Sequence, residues 1–185
     1  MSITESSSPY QDLEKLALGE VLEGINKEDQ KVALAVSKKL DQIASLIEQV
    51  VVRMKSGGRI FYIGAGTSGR LGILDASECP PTFGVGHDVV IGIIAGGDGA
   101  IRKAVEFAED DDQQAWKDLS AYQLSAQDSL IGLAASGTTP YVLGGVREAR
   151  NHGLLTGCIV CNPESALAQA VEFPIEIVMG PEYVT

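Results

Sequence analysis

Apolar residues set the first rhythm of the chain. Between Leu13 and Met54 they recur at helical spacing, at Leu13, Leu16, Val21, Leu22 and Ile25, and again from Val32 through Leu40, Ile43, Leu46, Ile47 and Val50. The spacing predicts two helices, parted by the polar stretch "INKEDQK" and closed by "KSGG", whose glycines end at Gly58 as expected beyond a helix terminus. These helices read as scaffold, packed on a neighbouring sheet or on a second subunit. Residues 1 to 10 are Ser-rich and carry neither period, so they read as an arm without regular structure.

After Gly58 the texture changes. Short apolar runs, "RIFYIGAG", "DVVIGIIAGG", "DSLIGLAASG", "LLTGCIVCNP" and "FPIEIVMGP", each end in Gly, Ser or Pro, and longer gaps carry helical patterns such as "AIRKAVEFAEDD" and "TPYVLGGVREARNHG". Near-continuous apolar strands alternating with helices imply a parallel sheet covered on both faces. The predicted fold is a three-layer α/β/α sandwich with a parallel sheet of about five strands and right-handed crossovers, preceded by N-terminal helices. Residues 1 to 55 form the arm and helices, and residues 56 to 185 the sheet domain. Ligands of such sheets bind beyond the carboxyl ends of the strands, where these Gly and Ser loops fall. The last strand is followed only by "GPEYVT", with no crossover helix, so the chain reads as a fragment or as one that needs a partner surface.

Composition narrows the function classes. The chain has 185 residues and 45% hydrophobic content, enough for one domain with a real core. A net charge of -11 without a basic cluster argues against nucleic acid, so any anion must be held locally. No apolar run approaches the roughly 20 residues of a membrane helix, and the N-terminus lacks the features of a signal peptide, which predicts no membrane partner and a cytoplasmic address. Three cysteines, Cys79, Cys158 and Cys161, suit a reducing compartment. The Cys158-x-x-Cys161 spacing invites a redox or zinc reading, but on a strand residues three apart point to opposite faces, and buried inert thiols are expected.

The candidate chemistry lies in two loops. Gly64-x-Gly66-x-x-Gly69 after a strand matches the dinucleotide fingerprint and makes an oxidoreductase one reading, although Asp98 lies later than the expected ribose-binding acid. The alternative uses Gly66, Thr67, Ser68 and Gly69 as a phosphate cradle, since free amides, a positive dipole end and hydroxyls hold an anion without net charge. The loop after the third strand repeats that chemistry with Ser136, Gly137, Thr138 and Thr139, followed by Pro140 at a helix start. Each loop alone is compatible with ordinary helix capping; together at one sheet edge they favour one shared phosphate. Arg70 reads as a helix-surface ion pair or an anion contact, and His87 and His152 as surface residues.

The strings "GRIFYIGAGTSGRLGILDASECPPTFG", "IAGGDGAIRKAVEFAEDD" and "AASGTTPYVLG" closely resemble the bacterial N-acetylmuramic acid 6-phosphate etherases, members of the sugar isomerase (SIS) domain superfamily related to glucokinase regulatory protein. The resemblance implies a homodimeric enzyme of cell-wall recycling that releases D-lactate and leaves N-acetylglucosamine 6-phosphate by elimination and hydration, with no cofactor and no metal. It places the catalytic roles on Glu78, as the acid toward departing lactate, and Glu109, as partner in proton abstraction at carbon 2, with carboxyls of raised pKa through partial burial. Many members read Ser-Gly-Arg-Thr-Pro where this chain has Ser136-Gly137-Thr138-Thr139-Pro140, and members continue well past "GPE". A non-catalytic sugar-phosphate-binding regulator is the competing reading within the same fold. If residues 68 to 77 are helical, Glu78 lies about 15 Å from its own loop, so either the helices are short or bent, as at Gly72, or each carboxylate serves a neighbouring subunit's cradle. A site shared across a dimer is the preferred expectation.

Overall fold

The computed structural model describes residues 3 to 184, so residues 1, 2 and 185 of the predicted divisions lie outside the described part. The five apolar runs form β1 (Ile60–Gly64), β2 (Val90–Ile94), β3 (Ser129–Leu133), β4 (Leu155–Val160) and β5 (Phe173–Glu176). They make one parallel sheet of order β2-β1-β3-β4-β5. Such strands bury both faces, and two layers of helices supply the cover. On one side Phe61, Ile63, Leu130 and Val160 pack with Val142, Val146 and Leu167 of the layer formed by α5 (Gln114–Ser120), α6 (Pro140–Asn151) and α7 (Ala166–Ala170). On the other, Leu46 of α2 (Leu40–Lys55) packs on Ile131, Leu155 and Ile175. There α3 (Gly66–Phe83) covers β1 and β2, with Gly72 against Tyr62 and Ile73 against Gly92. The expected three-layer α/β/α sandwich is therefore the fold.

Three local expectations are corrected. Helix α1 (Leu18–Ser37) runs straight through "INKEDQK", and the break falls at Lys38 and Lys39. Polarity does not stop a helix whose residues are good helix formers, and here Glu28 pairs with Lys31 at 2.6 Å while Gln30 bonds Asn26. The N-terminal arm is not structureless: Ser6 N–H donates to the Ile3 carbonyl, and Thr4 and Ser8 are buried. The "AIRKAVEFAEDD" pattern yields one turn, α4 (Gly99–Arg102). The carbonyls of Ala100 and Ile101, which a continuing helix would use, instead accept from the Arg70 guanidinium at 2.9 Å each. Helix α3 also continues through Pro80 and Pro81, so Cys79 is helical despite preceding a proline. Both prolines lie in its last stretch, and Gly84 closes it in the left-handed region with its N–H on the Pro80 carbonyl.

The predicted scaffold role holds for α2 on the sheet. Helix α1 differs, because its one buried residue is Gly24, beneath Tyr183, while Leu18 and Leu34 are 75% and 65% exposed. Strand β5 is an edge of four residues with Pro174 in it. No helix of the described residues is long and apolar enough to cross a membrane.

Candidate active site

Strands β1 and β3 are neighbours, yet α3 and α6 leave them toward opposite faces of the sheet. A crevice opens at the carboxyl end of such a pair. Helix α3 starts hard against β1: a Cβ on Gly69 would lie 2.6 Å from Ile94 Cγ1 and 2.7 Å from the Gly64 carbonyl. Only glycine permits that approach. The N-cap, Ala65, supplies no side-chain acceptor, and Gly69 is the first residue whose N–H reaches back to Ala65, at 3.2 Å. The amides of Gly66, Thr67 and Ser68 thus have no helical acceptor.

The second loop is built differently. Gly137 has φ +69°, and any side chain there would strike Ser165. Around it the Thr138 N–H and hydroxyl donate to Ser136 Oγ at 3.3 and 3.1 Å, and Thr139 precedes α6 with Pro140 in the first turn. The Tyr141 N–H of that turn donates to the Glu109 carbonyl at 2.9 Å. This bond brings the segment after α4 back to the start of α6.

Ser68, Ser136, Thr138, Thr139 and Glu109 line one concavity of about 360 Å³. Gly66 lines a smaller adjoining hollow of about 170 Å³, which Arg70 and Glu109 also border. Thr67 is exposed and lines neither, and Gly69 and Gly137 are buried, acting through backbone shape. Glu78 lines neither hollow. It sits ten residues beyond Ser68 on the unbroken α3, about 15 Å along the axis, so the helix is not shortened. Partial burial expected of the two carboxyls is absent, since Glu78 and Glu109 are both exposed. Arg70 forms no ion pair among the described residues; its guanidinium donates to the α4 carbonyls while bordering the smaller hollow. Asp98 stands at the N-cap position of α4, without a side-chain capping bond, four residues past the end of β2, and does not line the concavity.

Sequence reasoning missed Thr4, Glu5, Asp110 and Glu182, which line the same concavity. Thr4 and Glu5 lie in a segment without periodicity, which offers no signal for such placement, and Asp110 is one of a run of acidic residues that reads as a solvated helix end. Beside it, Tyr62, Leu71, Leu133, Ile159 and Cys161 line an apolar groove of about 460 Å³ between α3 and the sheet. Burial, reinforced by the Asp75 carboxylate, raises the Tyr62 phenol well above its ordinary value. Cys158 packs on the α6 side while Cys161 faces the groove, so the pair does point to opposite faces. Burial pushes both thiols up, Cys158 to about 12. His87 and His152 are exposed as expected, His152 stacking on Trp116 with ring centroids 4.3 Å apart. Among the described residues no group of three or more His, Cys, Asp or Glu is placed to hold a metal ion.

A parallel sheet of this order with a crevice at β1/β3 is a doubly wound α/β fold, and the family match makes it a SIS-type domain. Residues 42 to 150 match the family model described as the glucokinase regulatory protein N-terminal SIS domain. Solved structures of a phosphoheptose isomerase from Francisella tularensis (TM-score 0.62, 21% identity, 85% of each chain) and one from Neisseria gonorrhoeae (TM-score 0.58, 18% identity, 88% and 83% of the two chains) share the fold. At the sequence level the chain is 60% identical, over 98% of its own length and 66% of the relative's, to an N-acetylmuramic acid 6-phosphate etherase of Christiangramia forsetii. It is 57% identical, over 100% of its length and 67% of the relative's, to one of Bacteroides thetaiotaomicron. The chain belongs to the N-acetylmuramic acid 6-phosphate etherase family. It spans about two thirds of the length of these relatives.

Proposed function

We propose that this chain binds a hexosamine 6-phosphate at the β1/β3 crevice and serves a cytoplasmic, homodimeric etherase that cleaves the lactyl ether of N-acetylmuramic acid 6-phosphate. The observation that carries the reading is the meeting of Ser68, Ser136, Thr138 and Thr139 with Glu109 in one concavity. Uncapped amides at the α3 start and these hydroxyls suit a phosphate, while a carboxylate at the same cavity suits proton transfer. Neither the dinucleotide nor the regulator reading is favoured by the etherase-named relatives.

The chemistry is redox-neutral. With the sugar ring open, Glu109 removes the proton on carbon 2, made acidic by the adjacent aldehyde. The electron pair forms a carbon 2 to carbon 3 double bond as the carbon 3 to oxygen bond breaks, and Glu78 protonates the departing D-lactate. Water then adds its oxygen to carbon 3 and a proton returns to carbon 2, so the sum is substrate plus water giving N-acetylglucosamine 6-phosphate plus lactate.

Glu109 reaches its own subunit's cavity because α4 is a single turn and the chain folds back onto α6. Glu78 is carried away by α3 and is supplied across a dimer. Exposed Leu71 and Leu74 on the same helix, 58% and 57% exposed, suit such an interface.

Incubating the protein with N-acetylmuramic acid 6-phosphate in heavy-oxygen water tests this reading. Lactate release with one labelled oxygen in the sugar is expected. Binding of the sugar phosphate without lactate release would move the protein to the regulator class.

A further inference from the structure

Resting on the sugar-phosphate reading, the geometry points to a further part of the site: the N-terminal arm, locked in place by Asn162, forms one of its walls, and Glu5 contacts the sugar end of the ligand. Asn162 follows β4 and is 6% exposed. Its Oδ1 accepts from the N–H groups of Ile3 at 2.6 Å and Thr4 at 3.3 Å. Its Nδ2 donates to Thr4 Oγ1 at 3.0 Å and to the carbonyls of Ala135 and Ser136 at 3.3 and 3.2 Å. One side-chain amide therefore ties the arm to the second phosphate-type loop. The requirement is specific: Asp lacks the donors, an apolar residue lacks both functions, and buried polar groups left without partners are costly.

The arm is fixed at its other end as well. Ser8 Oγ donates to the Tyr183 carbonyl at 2.8 Å, and the Tyr10 and Tyr183 rings lie 4.5 Å apart. Between these anchors Thr4 is buried and Glu5 is exposed into the concavity that Ser68, Ser136 and Glu109 line.

Charge orients the ligand in that space. No Lys or Arg lines the concavity, whereas Glu5, Glu109, Asp110 and Glu182 do. A phosphate dianion is repelled from the carboxylates and held at the amides and hydroxyls. The sugar then faces the carboxylates, and its hydroxyl and amide N–H groups are donors for Glu5.

The test measures binding of N-acetylglucosamine 6-phosphate and of inorganic phosphate to the native protein, Glu5→Gln and Asn162→Ala, together with amide exchange at Ile3 and Thr4. For Glu5→Gln, an exposed position, we expect roughly tenfold weaker N-acetylglucosamine 6-phosphate binding, the scale of a charge-assisted hydrogen bond, with inorganic phosphate affinity and melting temperature unchanged. For Asn162→Ala we expect faster exchange at both amides and weaker sugar-phosphate binding. Native-like binding of N-acetylglucosamine 6-phosphate by both variants overturns the arm's role and leaves the sugar-phosphate reading standing. Failure of the native protein to bind that ligand overturns the reading itself, and Glu5's contact with it.

Discussion

Asp128, just ahead of β3, has a side chain only 1% exposed, and its carboxylate accepts from the Arg59 backbone N–H, the Arg59 guanidinium and the Ser125 N–H. Burial alone raises the pKa of such a carboxyl, but the Arg59 and amide bonds outweigh it and hold Asp128 below the usual range. A depressed folded pKa gives stability that is complete above the unfolded value of about 3.9 and is lost as pH falls through the folded one. Asp128→Asn is expected to lose about 3 kcal/mol in urea unfolding at pH 7, because the Arg59 charge loses its partner, and to show a shallower decline between pH 5 and the acid limit of roughly pH 2. At this scale the sequence is readable only where chemistry is clustered along the chain. Ser68 and Thr138 stand out among glycines, whereas Asn162 and Thr4 meet across 158 positions and give no local sign of it.

At the scale of elements, all five strands and helices α2 and α6 were legible from periodicity and from Gly, Ser and Pro endings, whereas the length of α3 was left open. The misreadings have contacts as their cause. Arg70 reaches from α3 to cap the α4 carbonyls and ends a helix whose sequence would continue. The seven residues of α5 went unnoticed, since a short helix buries only Ala115 and Leu119. The β3–α6 turn depends on one conformation: Gly137 has φ +69° beside Ser165, and its carbonyl accepts from the Leu167 N–H of α7 at 2.9 Å. Gly137→Ala combines left-handed strain with a clash and is expected to cost about 1–3 kcal/mol in thermal unfolding. It is also expected to weaken phosphate binding, whereas Gly57→Ala, with φ +87° but open space, is expected to cost less and leave binding intact.

At the scale of the whole molecule Glu109 lines the concavity and Glu78 does not, so the two carboxylates proposed for catalysis are not joined within one copy. The layer arrangement was readable because parallel strands are apolar throughout. Placement of Glu78 was readable only as alternatives, a short or bent helix or one that carries it about 15 Å away, and α3 running unbroken to Phe83 selects the latter. Mixed dimers decide the arrangement. Under the proposed dimeric etherase, Glu78→Gln and Glu109→Gln are each expected to lose lactate release by about a thousandfold or more. A heterodimer of the two holds one intact set if Glu78 crosses the interface, and about half of the native activity per dimer returns; no recovery at all would place both carboxylates in one subunit. The edge of the sheet bears on how copies can meet. Strand β5 offers only four residues, one of them Pro174, which has no N–H to donate. Growth of the sheet by strand addition is therefore disfavoured at that border, whereas the opposite border, β2 with five residues and no proline, carries no such obstacle.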